Sequence, residues 1–182
     1  DLQGFTSEKK LDNLLDIPFE EFKLEDIGFQ KTELTFEVPE ADLHIIKTYE
    51  ETRNFPAVKG TTQLGVHLRF GTISVRKLAK IAKENNLTFL KELIWREFFM
   101  QILYHFPKVV NHSFKSKYDA IPWENNPEFL EKWKAGKTGF PIVDAGMREL
   151  NATGFMHNRV RMITASFLIK HLLTDWRIGE AY

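Results

Sequence analysis

The chain has 182 residues, no cysteine, and 25 basic against 25 acidic side chains, so its formal net charge is zero. That length suits one domain with a core of its own. The missing cysteines exclude a disulfide scaffold, a thiolate metal site and a cysteine nucleophile, and a neutral balance argues, at face value, against a tail-driven nucleic-acid binder. No apolar run approaches the roughly 18 residues of a membrane span. The opening DLQGFTSEKK has neither the basic start nor the apolar centre of a signal peptide. It also lacks an initiator Met, which leaves a processed chain or a piece of a longer one.

The neutrality is a cancellation. Residues 1–51 hold 14 acidic and 5 basic side chains, a balance of −9, and the remainder carries +9. The asymmetry fits a basic working surface joined to an acidic segment. It equally fits two solvated faces of opposite bias.

Residues 1–38 show scattered apolar positions and no sustained period, punctuated by Pro18 and Pro39. They read as an irregular arm that packs through Leu14, Leu15, Phe19, Phe22 and Phe29. TELTFEV, at 32–38, is the one alternating stretch. From Pro39 onward the pattern is helical. Leu43, Ile46 and Tyr49 share three-residue spacing. Ser74 is placed to cap VRKLAKIAKENN, with Val75, Leu78, Ile81 and Ala82 on one face. Thr88 is placed to cap FLKELIWREFFMQILYHF, whose nearly continuous apolar positions predict a central helix. Pro127 and Pro141 stand where a first helical turn tolerates proline. Gly136, Gly139 and Gly154 mark helix ends or turns. HNRVRMITASFLIKHLLTDW predicts one last long helix. The working part is all-α, with loops at 53–65 and 106–126.

Most enzyme signatures are absent: there is no HExxH, Walker loop, GxGxxG or GxSxG. The six His residues have no i, i+4 pairing, so no metal site is expected. Three stretches stand out instead. Thr61 and Thr62 bring two hydroxyls and free N–H groups to the start of a helix, which suits a phosphate or an ordinary cap. Glu92, Trp95, Arg96 and Phe99 share one helical face. A carboxylate, an indole and a guanidinium there fit a planar heterocycle, or else a Glu92–Arg96 surface pair beside a half-buried Trp. Asn158, Arg159 and Arg161 crowd the first turn of a helix, where cations oppose the dipole. They suit phosphate or carboxylate binding, or an Arg–Asp network such as Arg148 with Asp144.

GTTQLGVHLRFGTIS, ELIWREFF, KAGKTGFPIVDAGMREL and TGFMHNRVRMITASFLIKHLLTDWRIGEAY together resemble the flavin-binding helical domain of the photolyase/cryptochrome family. The resemblance is nearest to class I cyclobutane pyrimidine dimer photolyases. It covers residues 41–182, a partial FAD-binding and DNA-binding domain, and makes 1–40 an interdomain connection. It implies an all-α bundle that holds FAD in a U-shape and acts on UV-damaged DNA inside the cell, in the cytoplasm or nucleoid. Tyr49, Thr61, Thr62, Gln63, Leu64 and Gly65 match flavin and phosphate contacts. The family's usual form is closer to T-S-x-L-S, so Gly65 lacks one hydroxyl. Arg96 matches a position beside the flavin, and Phe89 one where relatives carry a Trp near it. Glu92, Trp95 and Asn158 match positions that hold the flipped-out dimer, and Arg53 and Arg159 match contacts to DNA phosphates. Trp176 and Trp123 match the middle and outer members of a tryptophan chain that photoreduces the flavin. MHNR with Glu92 and Trp95 favours dimer repair over a cryptochrome-type photoreceptor. A flavin-free DNA-binding fragment is the third reading.

The family's chains are longer. The resemblance implies an α/β domain with an antenna chromophore before residue 1, and further flavin contacts and an innermost Trp after Tyr182. Arg161 matches an Arg whose acidic partner lies in that later segment. It is expected to be exposed, rearranged or paired elsewhere, because a buried unpaired cation is costly. Weak or no FAD binding and self-association through uncovered apolar surface are expected for this stretch alone.

Overall fold

The computed structural model describes residues 23–31 and 39–182. Among them every regular element is helical and none is a strand. The expected all-α class is what the chain adopts.

A single 3-10 turn, Leu24–Ile27, closes on Gly28 in the left-handed region. Phe29 beside it is 62% exposed. The expectation that Phe29 helps pack the arm is wrong, because no described element covers its ring. Leu14, Leu15, Phe19, Phe22 and the stretch 32–38 lie outside the described residues.

Helix α1 (Leu43–Thr52) starts at Asp42, whose carboxylate accepts from the His44 and Ile45 N–H groups at 2.8 and 3.2 Å. A carboxylate there satisfies orphan donors and complements the dipole. Helix α2 (Gly65–Phe70) is one short run. Helix α3 (Val75–Asn85) is capped by Ser74, as its sequence predicts, and buries Leu78, Ala79 and Ala82. Helix α4 (Leu87–His105) is capped by Asn86 and not by Thr88. Asn86 is extended, accepts from the Phe89 N–H at 3.0 Å and donates to the Lys47 carbonyl of α1 at 3.1 Å. One amide thus starts α4 and ties it to α1, which a hydroxyl inside the first turn cannot do.

Ile46, Leu64, Leu78, Ala82, Phe89 and Leu93 form the first core, between α1, α3 and α4. Only the N-terminal part of α4 is central. Ile94, Trp95, Phe98, Phe99, Leu103 and Tyr104 are exposed. Apolar residues run around the whole circumference of α4, and among the described elements α1, α3 and the 3-10 turn Pro107–Val110 pack most closely on it.

The loop 106–126 contains two 3-10 turns, Pro107–Val110 and Ser116–Ala120. Beyond it come α5 (Pro127–Lys134), α6 (Pro141–Thr153), α7 (Asn158–Lys170) and α8 (Trp176–Ala181). Pro127 and Pro141 open their helices, and Gly154 closes α6 at φ 71°. The last helix, expected to run to Trp176, stops at Lys170, and a separate helix starts at Trp176. Leu173 turns into the left-handed region at φ 45°, and the Asp175 carboxylate restarts the helix by accepting from the Arg177 N–H at 3.0 Å.

Trp133, Val143, Met147, Met156, Val160, Phe167 and Leu168 form the second core. Two details fix it. Gly146 lies where α6 crosses α7, and a Cβ there would overlap Val160 and crowd Thr164. The Trp133 indole donates to the Thr164 carbonyl at 3.1 Å. Asp144 does not pair with Arg148 at ion-pair distance. Its buried carboxylate accepts from the Thr138 N–H and hydroxyl at 2.7 and 2.6 Å and from the Gly139 N–H at 3.0 Å. Burial pushes this carboxyl up, but those donors, aided by the more distant Arg148 charge, together hold it below the usual carboxylate range.

Gly146→Ala is expected to destabilise the fold by about 1–3 kcal/mol through overpacking, read as a lowered urea midpoint. Asp144→Asn is expected to cost about 1–3 kcal/mol at neutral pH, because buried donors lose a charged acceptor. The depressed native pKa makes this contribution present above the unfolded value of about 4 and lost as pH falls through the native one. Urea titrations at falling pH should show the gap between wild type and Asp144→Asn closing below about 4. A constant gap would contradict the assignment.

Candidate functional site

The end of α1 and the start of α4 bring the first group of residues together. Arg53 is the C-cap of α1, where a cation complements the dipole. Its guanidinium forms an ion pair with the Glu92 carboxylate, both half-buried. Glu92 does not pair with Arg96. The Arg53 guanidinium also lies 5.7 Å from the centre of the Tyr49 ring, and Phe89 meets that ring edge-on at 5.1 Å. Burial, and then the Glu92 carboxylate, push the Tyr49 phenol above its ordinary range, with Arg53 opposing. Tyr49 stays a neutral donor at physiological pH.

One turn further along α4, Trp95 is 52% exposed. It stacks on Phe99 at 5.8 Å and 27° and meets Phe98 edge-on. Arg96 turns the other way and donates to the Leu68 carbonyl of α2 at 3.1 Å.

Helix α7 reaches this group through its first turn. The Arg159 Nε donates to the Asn54 side chain at 2.9 Å. Asn158, the first residue of α7, is exposed beside it. His157 caps the helix by accepting from the Arg159 N–H through Nδ1 at 3.2 Å, which leaves the proton on Nε2. That Nε2 is buried and has no partner among the described residues. Asn54 and His157 were not singled out from the sequence. An amide just past a helix end, and a His directly before two Arg, were the available signals.

Thr61 and Thr62 are half-buried, and Gln63 is exposed in the left-handed region at φ 52°. Gly60 brings this stretch onto α1, since any Cβ would overlap Thr52. The Leu64 side chain is committed to the first core, so only its backbone is free for a ligand. Among the described residues, no acceptor takes the N–H groups of 61–64 and no partner takes either Thr hydroxyl. The loop 53–65 carries Arg53 and Lys59 and no acid. A Cβ on Gly65 would meet nothing within 4 Å.

The remaining residues lie in the second half of the chain. Arg161 is exposed, one of the outcomes expected for it, and no described side chain pairs with it. It lines a cavity of about 500 Å³ with Trp133, Trp176 and Tyr182. Trp123 is half-buried, with its indole N–H buried and without a partner among the described residues. The residues after Trp123 hydrogen-bond to the residues before Trp176. The structure thus assembles Tyr49, Arg53, Phe89, Glu92 and Arg159 in one place. Hydrogen bonds join the segments that carry Trp123 and Trp176, and Arg161 lines the same cavity as Trp176.

Residues 89–182 match the family model described as the FAD binding domain of DNA photolyase. Deoxyribodipyrimidine photo-lyase of Escherichia coli K12 is 48% identical over 144 residues, which cover 74% of this chain and 30% of the relative. Its counterpart in Neurospora crassa is 45% identical, covering 75% of this chain and 24% of the relative. The chain spans between about a quarter and a third of the length of these curated relatives. Among solved structures, an archaeal photolyase from Sulfolobus tokodaii with two FAD molecules is 45% identical with a TM-score of 0.72, over 77% of this chain and 33% of that one. A Synechocystis cryptochrome is 34% identical with a TM-score of 0.68, over 75% of this chain and 30% of that one. With the matched model spanning residues 89–182 of a helical chain, this protein belongs to the family of the FAD binding domain of DNA photolyase.

Proposed function

We propose that this chain is the part of a light-driven DNA-repair enzyme that holds FAD and grips a flipped-out cyclobutane pyrimidine dimer. The observation that carries the reading is the Arg53–Glu92 pair, set beside Tyr49 and tied through Asn54 to Arg159, with the bare Trp95 ring on the same helix as Glu92. A damaged dimer leaves the stack at lower cost than an intact pair, because its own pairing is already poor. Trp95 offers a flat apolar wall to such a base. Glu92 accepts from base N–H groups and Asn158 offers an amide. Arg53 and Arg159 bring positive charge to the flanking phosphates.

The donors at 61–65 fit the pyrophosphate of FAD: two free hydroxyls, a run of free N–H groups and no carboxylate. Tyr49, Thr61, Thr62, Gln63, the Leu64 backbone, Phe89 and Arg96 are the residues that would hold the cofactor, with Arg161 beside it. Held by these residues, reduced FAD would supply, on excitation by light, the electron that opens the cyclobutane ring. Trp123 and Trp176 serve as relay residues that pass electrons inward from the surface. The antenna chromophore belongs to a domain outside this sequence. A cryptochrome-type photoreceptor would keep FAD but lose repair, and a dimer-repair assay under blue light on the parent chain separates the two. A flavin-free DNA-binding piece would show dimer preference without visible flavin bands. Self-association through the exposed α4 face follows from its uncovered aromatics, and light scattering reads it.

Glu92→Ala is expected to lose dimer preference while keeping overall DNA affinity, because it frees Arg53 for phosphate. Arg159→Ala should weaken binding to dimer-containing and undamaged duplex alike, and lower the salt slope by about one. Equal effects of the two substitutions in salt-titrated binding assays would overturn the roles. Gly65→Ser has room for its hydroxyl. It is expected to tighten FAD binding roughly tenfold by adding one hydrogen bond to a phosphate. Calorimetric titration with FAD checks it, and unchanged affinity would place the phosphate elsewhere.

A further inference from the structure

Trp123 and Trp176 lie on different elements, and a small clamp holds those elements in register. The N–H groups of Glu124 and Asn125 both point at the Leu173 carbonyl, at 2.9 and 3.4 Å. In return the Asp175 N–H donates to the Asn125 side-chain oxygen at 2.8 Å. Asn125 and Leu173 face each other with left-handed backbones, at φ 50° and 45°. Asn tolerates that region and Leu does not, so the bend at Leu173 is held from outside.

The clamp is directly coupled to both rings. Asn125 follows Trp123 by two residues, and Asp175 immediately precedes Trp176. Asp175 caps α8, and the Arg177 guanidinium folds back onto its carboxylate at 2.8–3.1 Å. The same guanidinium donates to the Asn111 carbonyl at 3.0 Å and lies 5.7 Å from the Trp176 ring centre. These bonds close the 106–126 loop onto the start of α8.

We infer that Asn125 is the positioning residue that sets the approach of Trp123 to Trp176. The inference rests on the relay reading given above and adds the group that fixes the relay's geometry. In the relay, Trp176, its middle member, would give one electron to the innermost ring once that ring had been oxidised by one electron. Trp123 then returns one electron to Trp176, and the positive charge stays on Trp123. Electron transfer between rings weakens steeply with separation, so the register of two backbones sets its rate. Asn125 does this with three groups at once: a tolerated left-handed φ, a donor to Leu173 and an acceptor for Asp175.

The test uses the 182-residue chain labelled with 5-fluorotryptophan, whose four tryptophans give separate fluorine signals assigned by single Trp→Phe variants. Asn125→Ala is expected to shift the Trp123 and Trp176 signals together and leave those of Trp95 and Trp133 in place. Asn125→Gly keeps the backbone bend but not the acceptor, and is expected to behave like Asn125→Ala. Asn125→Asp keeps the acceptor and is expected to match the wild type. A wild-type spectrum for Asn125→Ala or Asn125→Gly overturns the inference. In a Trp95→Phe background, flash excitation of dissolved flavin mononucleotide supplies a one-electron oxidant. The yield of long-lived tryptophan radical should fall roughly tenfold in Asn125→Ala, since small misplacements cost rate steeply, and return in Asn125→Asp. If the fluorine signals move as expected while even Trp123→Phe leaves the radical yield unchanged, the clamp stands and the relay reading fails.

Discussion

The Arg53–Glu92 ion pair links the end of α1 to the second turn of α4, and the candidate site is arranged around it. A pair this exposed contributes only about 0–1 kcal/mol to stability. Its effect is one of orientation. It keeps a guanidinium over the Tyr49 ring and holds a carboxylate beside a phenol that burial has already kept neutral. Both charges remain within reach of solvent, so a ligand can compete for either without first extracting a buried ion.

That pair lies within the first of two helical groups, each with its own core. The extensive helix packing is all within α1, α3 and α4 or within α5 to α8. Polar, specific bonds link the groups, among them Arg159 to Asn54 and Arg177 to the Asn111 carbonyl. Ligand sites favour such junctions, because side chains there are free of the demands of close packing. The two Arg links have different consequences. The first sets a second cation near Arg53, and the second fastens the loop that carries Trp123.

Local chemistry was legible wherever one residue acts on its own neighbours. Ser74 caps α3, Pro127 and Pro141 open helices, and Gly154 closes one, all as the sequence predicts. Reading failed where a distant partner decided. Asn86 outcompetes Thr88 as a cap because its amide also reaches Lys47 on α1. The break between α7 and α8 needed the contacts of Leu173 and Asp175 with residues 124 and 125. Arg148 does not reach Asp144, because the turn at Thr138 and Gly139 fills that carboxylate first. Phe29 and much of α4 look like core by composition, but composition does not say whether another element arrives to cover them.

The sequence by itself determined the helical class, most of the helix ends and the family, because caps, prolines and long motifs are local patterns. It also named the aromatic, acidic and basic residues of the candidate site. The net charge of zero hid that site, since acidic residues before position 52 cancel the basic remainder. Only the tertiary structure decided which of those residues meet. Glu92 could pair with Arg96 four residues along its own helix, yet it pairs with Arg53. Arg96 is drawn to the Leu68 carbonyl instead. Such choices depend on how α1, α2 and α4 pack, which spacing along one helix cannot encode.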